Sequence, residues 1–335
     1  MRRRDFGLGL LAAPALAGRA SASDASVVRL LRQYGLPTLP LMVMEHEKLV
    51  EKHAARLGMP SLKVEWPVVG GPGAMIDSML TGDIDFGIIG APGLVTMWDK
   101  TVGTSREIRA LGAVQLQPFV LVTTNAAVKT IADFTDKDRI ALPTAKISGQ
   151  AIVLQMAAAK LWGNDQFERL DSLTLTLPHP EGAAAVMSGK SQVNSHYTVS
   201  PYYVYELATP GIHRVLKSYE TFGGPHVNGL LGAAPKYRTE GQTIARIVYD
   251  AQREANAFIY AHPEDAAAIY VKLAKESHTL KEFVPIVADA DNVWTTTPKK
   301  LMEFASFMHT VGRVKHVPDG WKDFILPGFQ EGEGG

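Results

Sequence analysis

The chain is 335 residues long, more than one average domain holds, so two lobes are the natural division. Hydrophobic residues make up 46% and charged residues 20%, ordinary for a globular protein, and 34 basic side chains balance 34 acidic ones, leaving no basic stripe for nucleic acid. Cysteine is absent, which excludes both a disulfide and a lipid anchor on a cleavage-site cysteine.

Residues 1–22 read as a targeting segment rather than part of a fold. Arg2-Arg3-Arg4-Asp5-Phe6 supplies the positive region and fits the pattern Arg-Arg-x-Phe of twin-arginine export signals. Gly7 to Gly18 is apolar but too short to span a bilayer. Ala20-Ser21-Ala22 supplies a small-x-small cleavage site, so the mature chain is expected to begin at Ser23. Cleavage removes four arginines and one aspartate, leaving 30 basic and 33 acidic side chains. An arginine-rich start to a general secretory signal is the alternative route. Either way the expected location is the periplasm, with no direct membrane insertion.

Beyond the signal, Val27 to Arg32 reads as a first strand, followed by Tyr34-Gly35-Leu36-Pro37-Thr38. Leu41 to Leu57 reads as one helix, with Gly58 and Pro60 past its end, and Leu62 to Trp66 alternates like a strand. Gly70-Gly71-Pro72-Gly73 breaks the chain before an amphipathic segment carrying Ala74, Met75, Met79 and Leu80. That segment stops at Gly82, since glycine tolerates the left-handed backbone of a helix end. Phe86 to Ile89 then reads as a buried strand ending at Gly90-Ala91-Pro92-Gly93, where small residues allow a ligand or helix start to approach. This βαβαβ rhythm predicts a largely parallel sheet covered by helices. Ile108 to Val114 is a further strand, and Gln115–Pro118 marks a first crossing between lobes.

The second lobe repeats the rhythm. It runs through an apolar stretch at Phe119 to Val122, a strand at Arg139–Leu142, a loop at Pro143–Gln150, a helix at Ala151–Leu161, a strand at Leu173–Leu177 and a helix at Glu181–Met187. Val186-Met187-Ser188-Gly189, then Gln192 to Ser195 as a strand, then Thr198-Val199-Ser200-Pro201 opening a helix, form a degraded copy of the unit at 79–92. Ile212–Leu216 reads as a strand, and Tyr219 to Gly224 as the return crossing. From Ile244 to Met308 the chain is helical in character, with helices at Asp250–Tyr260, Pro263–Ala274 and Lys299–Met308 expected to pack on the first lobe.

Ser-Met-Leu-Thr-Gly-Asp-Ile-Asp-Phe-Gly, at 78–87, resembles the signature of solute-binding proteins for nitrate, taurine and alkanesulfonate transporters, a family that includes thiamine-precursor binders. The resemblance runs from Val27 to Lys217 and departs from the family at Asn194, where the second copy usually carries Asp. It implies an α/β fold of the type II periplasmic binding protein kind, two lobes with a two-segment hinge and a ligand cleft between them. Residues 23–116 and 223–330 would form lobe one, 117–222 lobe two and 331–335 a disordered tail. It implies a small-molecule ligand, an ABC transporter permease as partner, no cofactor and a monomer.

Several chemistries are not supported. Gly189-Lys190-Ser191 lacks the earlier glycine of a phosphate loop, since position 184 is Ala, and it ends a helix instead of opening one. His179-Pro180-Glu181 lacks the two cysteines of a zinc deaminase, and His46-Glu47 lacks a zincin's second histidine. Ser148-Gly149 is no nucleophile elbow. His179, His196 and His226 fall near strand ends or loops, and a metal would need them to converge. His196, Tyr197, Tyr202 and Tyr203 form either packing on a helix face or a flat binding wall with polar handles. Ser148-Gly149-Gln150 is either an ordinary helix cap or an anion-attracting helix start.

The expected pocket comprises Tyr34, Thr38, Gly90, Ala91, Gln115, Gln117, Ser148, Gly149, Gln150, His196, Tyr197, Tyr202 and His226, with Lys146 the one nearby cation. The expected ligand is singly anionic or polar: a sulfonate, nitrate-like, carboxylate or pyrimidine-type solute. No catalysis is expected. Same-fold enzymes are the alternative, but thiamine-pyrimidine synthases carry a cysteine-rich motif and menaquinone-pathway lyases are cytosolic. A periplasmic sensor partner would share the pocket. Replacing Arg3 and Arg4 by Lys keeps the charge and removes the guanidinium geometry. In cell fractionation the double variant is expected to lose periplasmic accumulation; unchanged accumulation would reject the twin-arginine route.

Overall fold

The computed structural model describes residues 27–69 and 71–335. The export segment, its cleavage site and Gly70 lie outside the described residues. The chain builds β1 (Val27–Leu31), α1 (Leu39–His46), α2 (Leu49–Arg56), β2 (Lys63–Glu65), α3 (Pro72–Thr81), β3 (Phe86–Gly90), α4 (Ala91–Thr101) and β4 (Arg109–Leu116). It then crosses to β5 (Val120–Thr123), β6 (Ile140–Leu142), α5 (Gly149–Trp162), β7 (Thr174–Thr176), α6 (His179–Ser188), β8 (Ser195–Thr198), α7 (Tyr202–Ala208), β9 (His213–Lys217) and α8 (Ser218–Phe222). It returns through β10 (Val227–Ala233) to α9 (Gln242–Ala261), α10 (Pro263–Ala274), α11 (Leu280–Val287) and α12 (Leu301–Thr310).

Two five-stranded sheets result, in the orders β2-β1-β3-β10-β4 and β7-β6-β8-β5-β9. In each, three strands pair in parallel and the fourth in the order, β10 or β5, runs antiparallel to both its neighbours, so half the pairings are antiparallel. The sheets are therefore mixed, not largely parallel as the βαβαβ rhythm suggested. The antiparallel strand is the newcomer in both cases, because β10 arrives from lobe two and β5 from lobe one. Central strands are covered on both faces, so Phe86 to Ile89 is buried throughout, as an uninterrupted apolar run requires.

The two copies of the 79–92 unit occupy equivalent places. α3 ends at Gly82 (φ 81°) and leads into β3, and α6 ends at Gly189 (φ 62°) and leads into β8. Before β3, Asp85 accepts the Arg29 N–H of the neighbouring strand at 2.8 Å. Before β8, Asn194 Oδ1 accepts the Arg139 N–H at 3.1 Å, while its amide donates to Asp138 at 2.8 Å. An aspartate at 194 would face Asp138 with like charge, so asparagine performs the same strand-joining task without repulsion. Position 194 thus marks the strand's entry, and β8 lies at Ser195–Thr198, not at Gln192–Ser195.

Other departures have local causes. The single helix expected over Leu41–Leu57 is two, broken at Lys48 with φ 53°. α1 is buried from Leu39 to Met44, and α2 lays Val50 and Ala54 on the core as well. β10 was not anticipated, since Gly229 and Gly232 interrupt its apolar run. A Cβ at Gly232 would come within 2.0 Å of Ile89 Cδ1, so the glycine is what lets β10 lie against β3. α11 was also missed. Residues 331–335, expected as a disordered tail, contact the body: Leu301 N–H donates to Gly335 O, and Glu331 pairs with Arg246 and Arg253.

The segment before α12 straps β4. Ala113 N–H donates to Thr296 O at 2.8 Å, and Leu116 exchanges backbone bonds with Val293. A Cβ on Gly112 would stand 2.6 Å from Thr296 O, a backbone atom fixed by that strap. Gly112→Ala is therefore expected to lower stability by about 1–3 kcal/mol, the usual cost of overpacking, read as a lower melting midpoint. An unchanged midpoint would show that residues 293–296 do not sit on β4.

Candidate functional site

A cavity lies between the lobes at the carboxyl ends of the strands, where α/β sheets place ligands. Lobe one contributes Gln33, Tyr34, Pro37 and Thr38 from the segment after β1, Pro72 of α3, Ile88 and Gly90 of β3, and Asn228 of β10. Lobe two contributes Phe119, Pro143, Gly149 and Gln150 at the start of α5, His179 at the start of α6, and Val199 after β8. The lobes touch across it, with Leu36 N–H donating to Ser200 O at 2.8 Å and Gly73 N–H reaching Thr144 Oγ1 at 3.4 Å.

No Asp, Glu, Lys or Arg is among these lining residues. Polarity comes from neutral groups. Thr38 Oγ1 and Asn228 Nδ2 are buried and have no hydrogen-bond partner within the described residues. Such groups are costly unless something fills their valence. At the first turn of α5, Ser148 caps the Ala151 N–H at 3.2 Å. The N–H groups of Gly149 and Gln150 remain at the positive end of the helix dipole. The Phe119 ring closes over this turn, and a Cβ on Gly149 would meet its Cζ at 2.7 Å. Any side chain at 149 therefore displaces Phe119 before it reaches a ligand.

Behind the cavity a buried polar row runs through lobe two. The Gln150 amide lies 3.3 Å from His179 Nε2, and His179 Nδ1 lies 3.2 Å from His196 Nε2 and 3.0 Å from Thr198 Oγ1. His196 Nδ1 lies 2.7 Å from Glu206 Oε1. His196, Thr198 and Glu206 are 0% exposed. Burial holds the His179 imidazole well below its usual range, with His196 as the lesser cause, and pushes His196 down to about 3. Burial also pushes Glu206 up to about 9.

Of the residues expected in the pocket, Tyr34, Thr38, Gly90, Gly149 and Gln150 line the cavity. The others do not. Ala91 is the buried first residue of α4, and Ser148 turns its hydroxyl to the helix it caps. Gln115 is buried in β4, and Gln117 donates to Asn292 Oδ1. His196 stands behind His179, and buried Tyr197 meets the Phe119 ring edge-on at 6.2 Å. Tyr202 stacks on His179 and lines a larger outer cavity of about 470 Å³, which shares Gln33 and Tyr34 with the first. His226 lies between the crossings: Ser218 Oγ is 2.6 Å from its Nε2, and Phe119 N–H donates to the same Ser218 oxygen at 2.9 Å. Burial pushes His226 down to about 4. Lys146 is not among the lining residues.

Gln33, Phe119, His179 and Asn228 were the consequential omissions. His179 carried a signal, a histidine at a helix start after Pro178; Asn228 carried none once β10 was missed. The three histidines do not converge, and no group of three or more His, Cys, Asp or Glu able to hold a metal ion is found among the described residues.

No family model matches the chain, and no curated protein matches it. Solved structures do, and several of them are named as periplasmic binding proteins. The chain is similar to the periplasmic aliphatic sulphonate binding protein SsuA of Escherichia coli (TM-score 0.64, 18% identity, covering 92% of this chain and 99% of that one). It is similar also to the alkanesulfonate-binding protein SsuA of Xanthomonas axonopodis pv. citri bound to MOPS (0.68, 16%, 92% and 99%). A third is the periplasmic nitrate-binding protein NrtA of Synechocystis PCC 6803 (0.66, 15%, 90% and 84%). At such identities the likeness is one of fold, and that fold is the periplasmic binding protein fold.

Proposed function

We propose that the protein is the solute-binding component of an ABC importer. It works in the periplasm after cleavage at Ala22, as a monomer, and passes a small polar or singly anionic organic solute to a membrane permease. The observation that carries this reading is the buried inter-lobe cavity with neutral, unpartnered donors, Thr38 Oγ1 and Asn228 Nδ2. Such donors bind an acceptor strongly once water is excluded, and without a fixed cation they still release it. The fold neighbours, named as sulphonate-, alkanesulfonate- and nitrate-binding proteins, support the same class of solute. The acceptor head group would sit between α5 and Asn228, with any organic remainder directed past Tyr34 into the outer cavity beside Tyr202. The reading is one of binding and closure, in which Thr38 Oγ1, without a hydrogen-bond partner among the described residues, waits for a ligand acceptor.

Titration calorimetry against nitrate, taurine, alkanesulfonates, carboxylates and pyrimidines tests this reading. One class is expected to bind and to raise the melting midpoint by mass action. Asn228→Leu removes a donor that has no partner inside the protein, so folding should be spared. Binding should weaken by about 1.5–3 kcal/mol for a charged acceptor, roughly ten- to hundredfold. Wild-type affinity in Asn228→Leu, or no binder in any class, would contradict the reading.

A further inference from the structure

The row from Gln150 to Glu206 has a direction, and protonation at its buried end sets it. His179 and His196 each have partners on both ring nitrogens, so a neutral ring must donate through one nitrogen and accept at the other. Consider the states of the terminal pair. If Glu206 is a neutral acid, its O–H donates to His196 Nδ1, and His196 Nε2–H donates to His179 Nδ1. If the proton has moved to make Glu206 an anion and His196 a cation, His196 Nε2–H still donates to His179 Nδ1. In both cases His179 carries its own hydrogen on Nε2, toward Gln150 and the cavity. A neutral Glu206 accepting at Oε1 would leave its O–H on Oε2, which has no partner, so with every polar hydrogen bonded only loss of that proton reverses the row, with His196 Nδ1–H bonding an anionic Glu206 and His179 Nε2 left as an acceptor.

Burial decides between these outcomes. Glu206 is 0% exposed, its one ionic contact among the described residues is His196, and its Oε2 has no partner. A net negative charge there would lie in an apolar interior with one donor to hold it, which costs several kcal/mol. The upward shift at Glu206 and the downward shifts at both histidines have this same cause. Space is kept for the row: a Cβ on Gly182 would stand 2.7 Å from His196 Nε2. Thr198 Oγ1 serves either direction, because a hydroxyl both donates and accepts.

We propose that the Glu206–His196 pair retains one titratable proton and thereby fixes His179 as a neutral imidazole with its N–H on Nε2, facing the cavity, which makes Glu206 a positioning residue. The Gln150 amide takes either sense by a half-turn, so it follows the row and does not set it. The consequence for binding rests on the function proposed above. His179 Nε2–H then stands where it is shared between the Gln150 carbonyl oxygen and a ligand, adding to the N–H donors of Asn228 and the α5 turn, and the head group favoured is an oxyanion, a carboxylate or sulfonate, over a hydrogen-bond donor.

The test is the nitrogen tautomer of ligand-free protein labelled with ¹⁵N-histidine, read at pH 7 by long-range ¹H–¹⁵N NMR, together with the ¹³C carboxyl shift of Glu206. The expected result is His179 protonated on Nε2 alone, with one proton between Glu206 and His196 Nδ1. His179 protonated on Nδ1, or an ionised Glu206 beside a neutral His196, would overturn the proposal. In Glu206→Leu the lock is removed, and the ¹⁵N shifts of His179 should move to a mixture of tautomers; a pure Nε2–H form there would deny Glu206 its role. Should that variant fail to fold, the wild-type spectrum alone decides. No ligand enters the measurement, so a Nε2–H tautomer in a protein that binds none of the tested solutes would sink the binding function and leave this proposal standing.

Discussion

The structure depends on an exchange of strands. β4 ends in the first sheet, and after three intervening residues β5 enters the second between β8 and β9. β10 makes the reverse journey and enters the first between β3 and β4. Each sheet is thus completed by a strand delivered across the cleft, so neither lobe's hydrogen bonding closes without the other's chain path. The joints are short and anchored at both ends. The crossings lie at residues 117–119 and 223–226, where backbone and side-chain bonds among Phe119, Ser218 and His226 tie them together. Such anchoring leaves a hinge and little else, the arrangement that lets two rigid bodies close on a small molecule.

Much of this was legible in the sequence because it is encoded locally. A glycine that permits a left-handed helix end, followed by an acidic or amide residue and an apolar run, specifies helix, turn and buried strand at both 79–92 and 186–198. What stayed hidden depends on neighbours distant in sequence. β10 reads poorly because Gly229 and Gly232 dilute its apolar run, yet those glycines are the condition for lying against Ile88 and Ile89. The break at Lys48, with φ 53°, is likewise silent in the sequence, since Val43, Val50 and Ala54 keep the spacing that one straight helix would also bury.

The site was legible in the same uneven way. Tyr34 and Thr38 after β1, Gly90 after β3, and Gly149 and Gln150 at a helix start follow from the rule that ligands gather at strand ends. Residue chemistry alone misled where side-chain direction mattered. His196 and His226 have the look of ligand contacts, but one sits a layer behind His179 and the other stitches the hinge. In a strand successive side chains face opposite ways, and β8 starts at Ser195, three residues beyond the expected Gln192, an odd shift that changes which residues face the cleft.

In the function we propose, the lobes close about these two crossings onto a ligand held by neutral donors. Small-angle scattering of the mature protein, with and without the tightest solute found by calorimetry, tests it most directly. The complex is expected to have the smaller radius of gyration, with a free-state curve that the touching lobes do not reproduce. Superposable curves from a protein saturated with a tightly bound solute would contradict it.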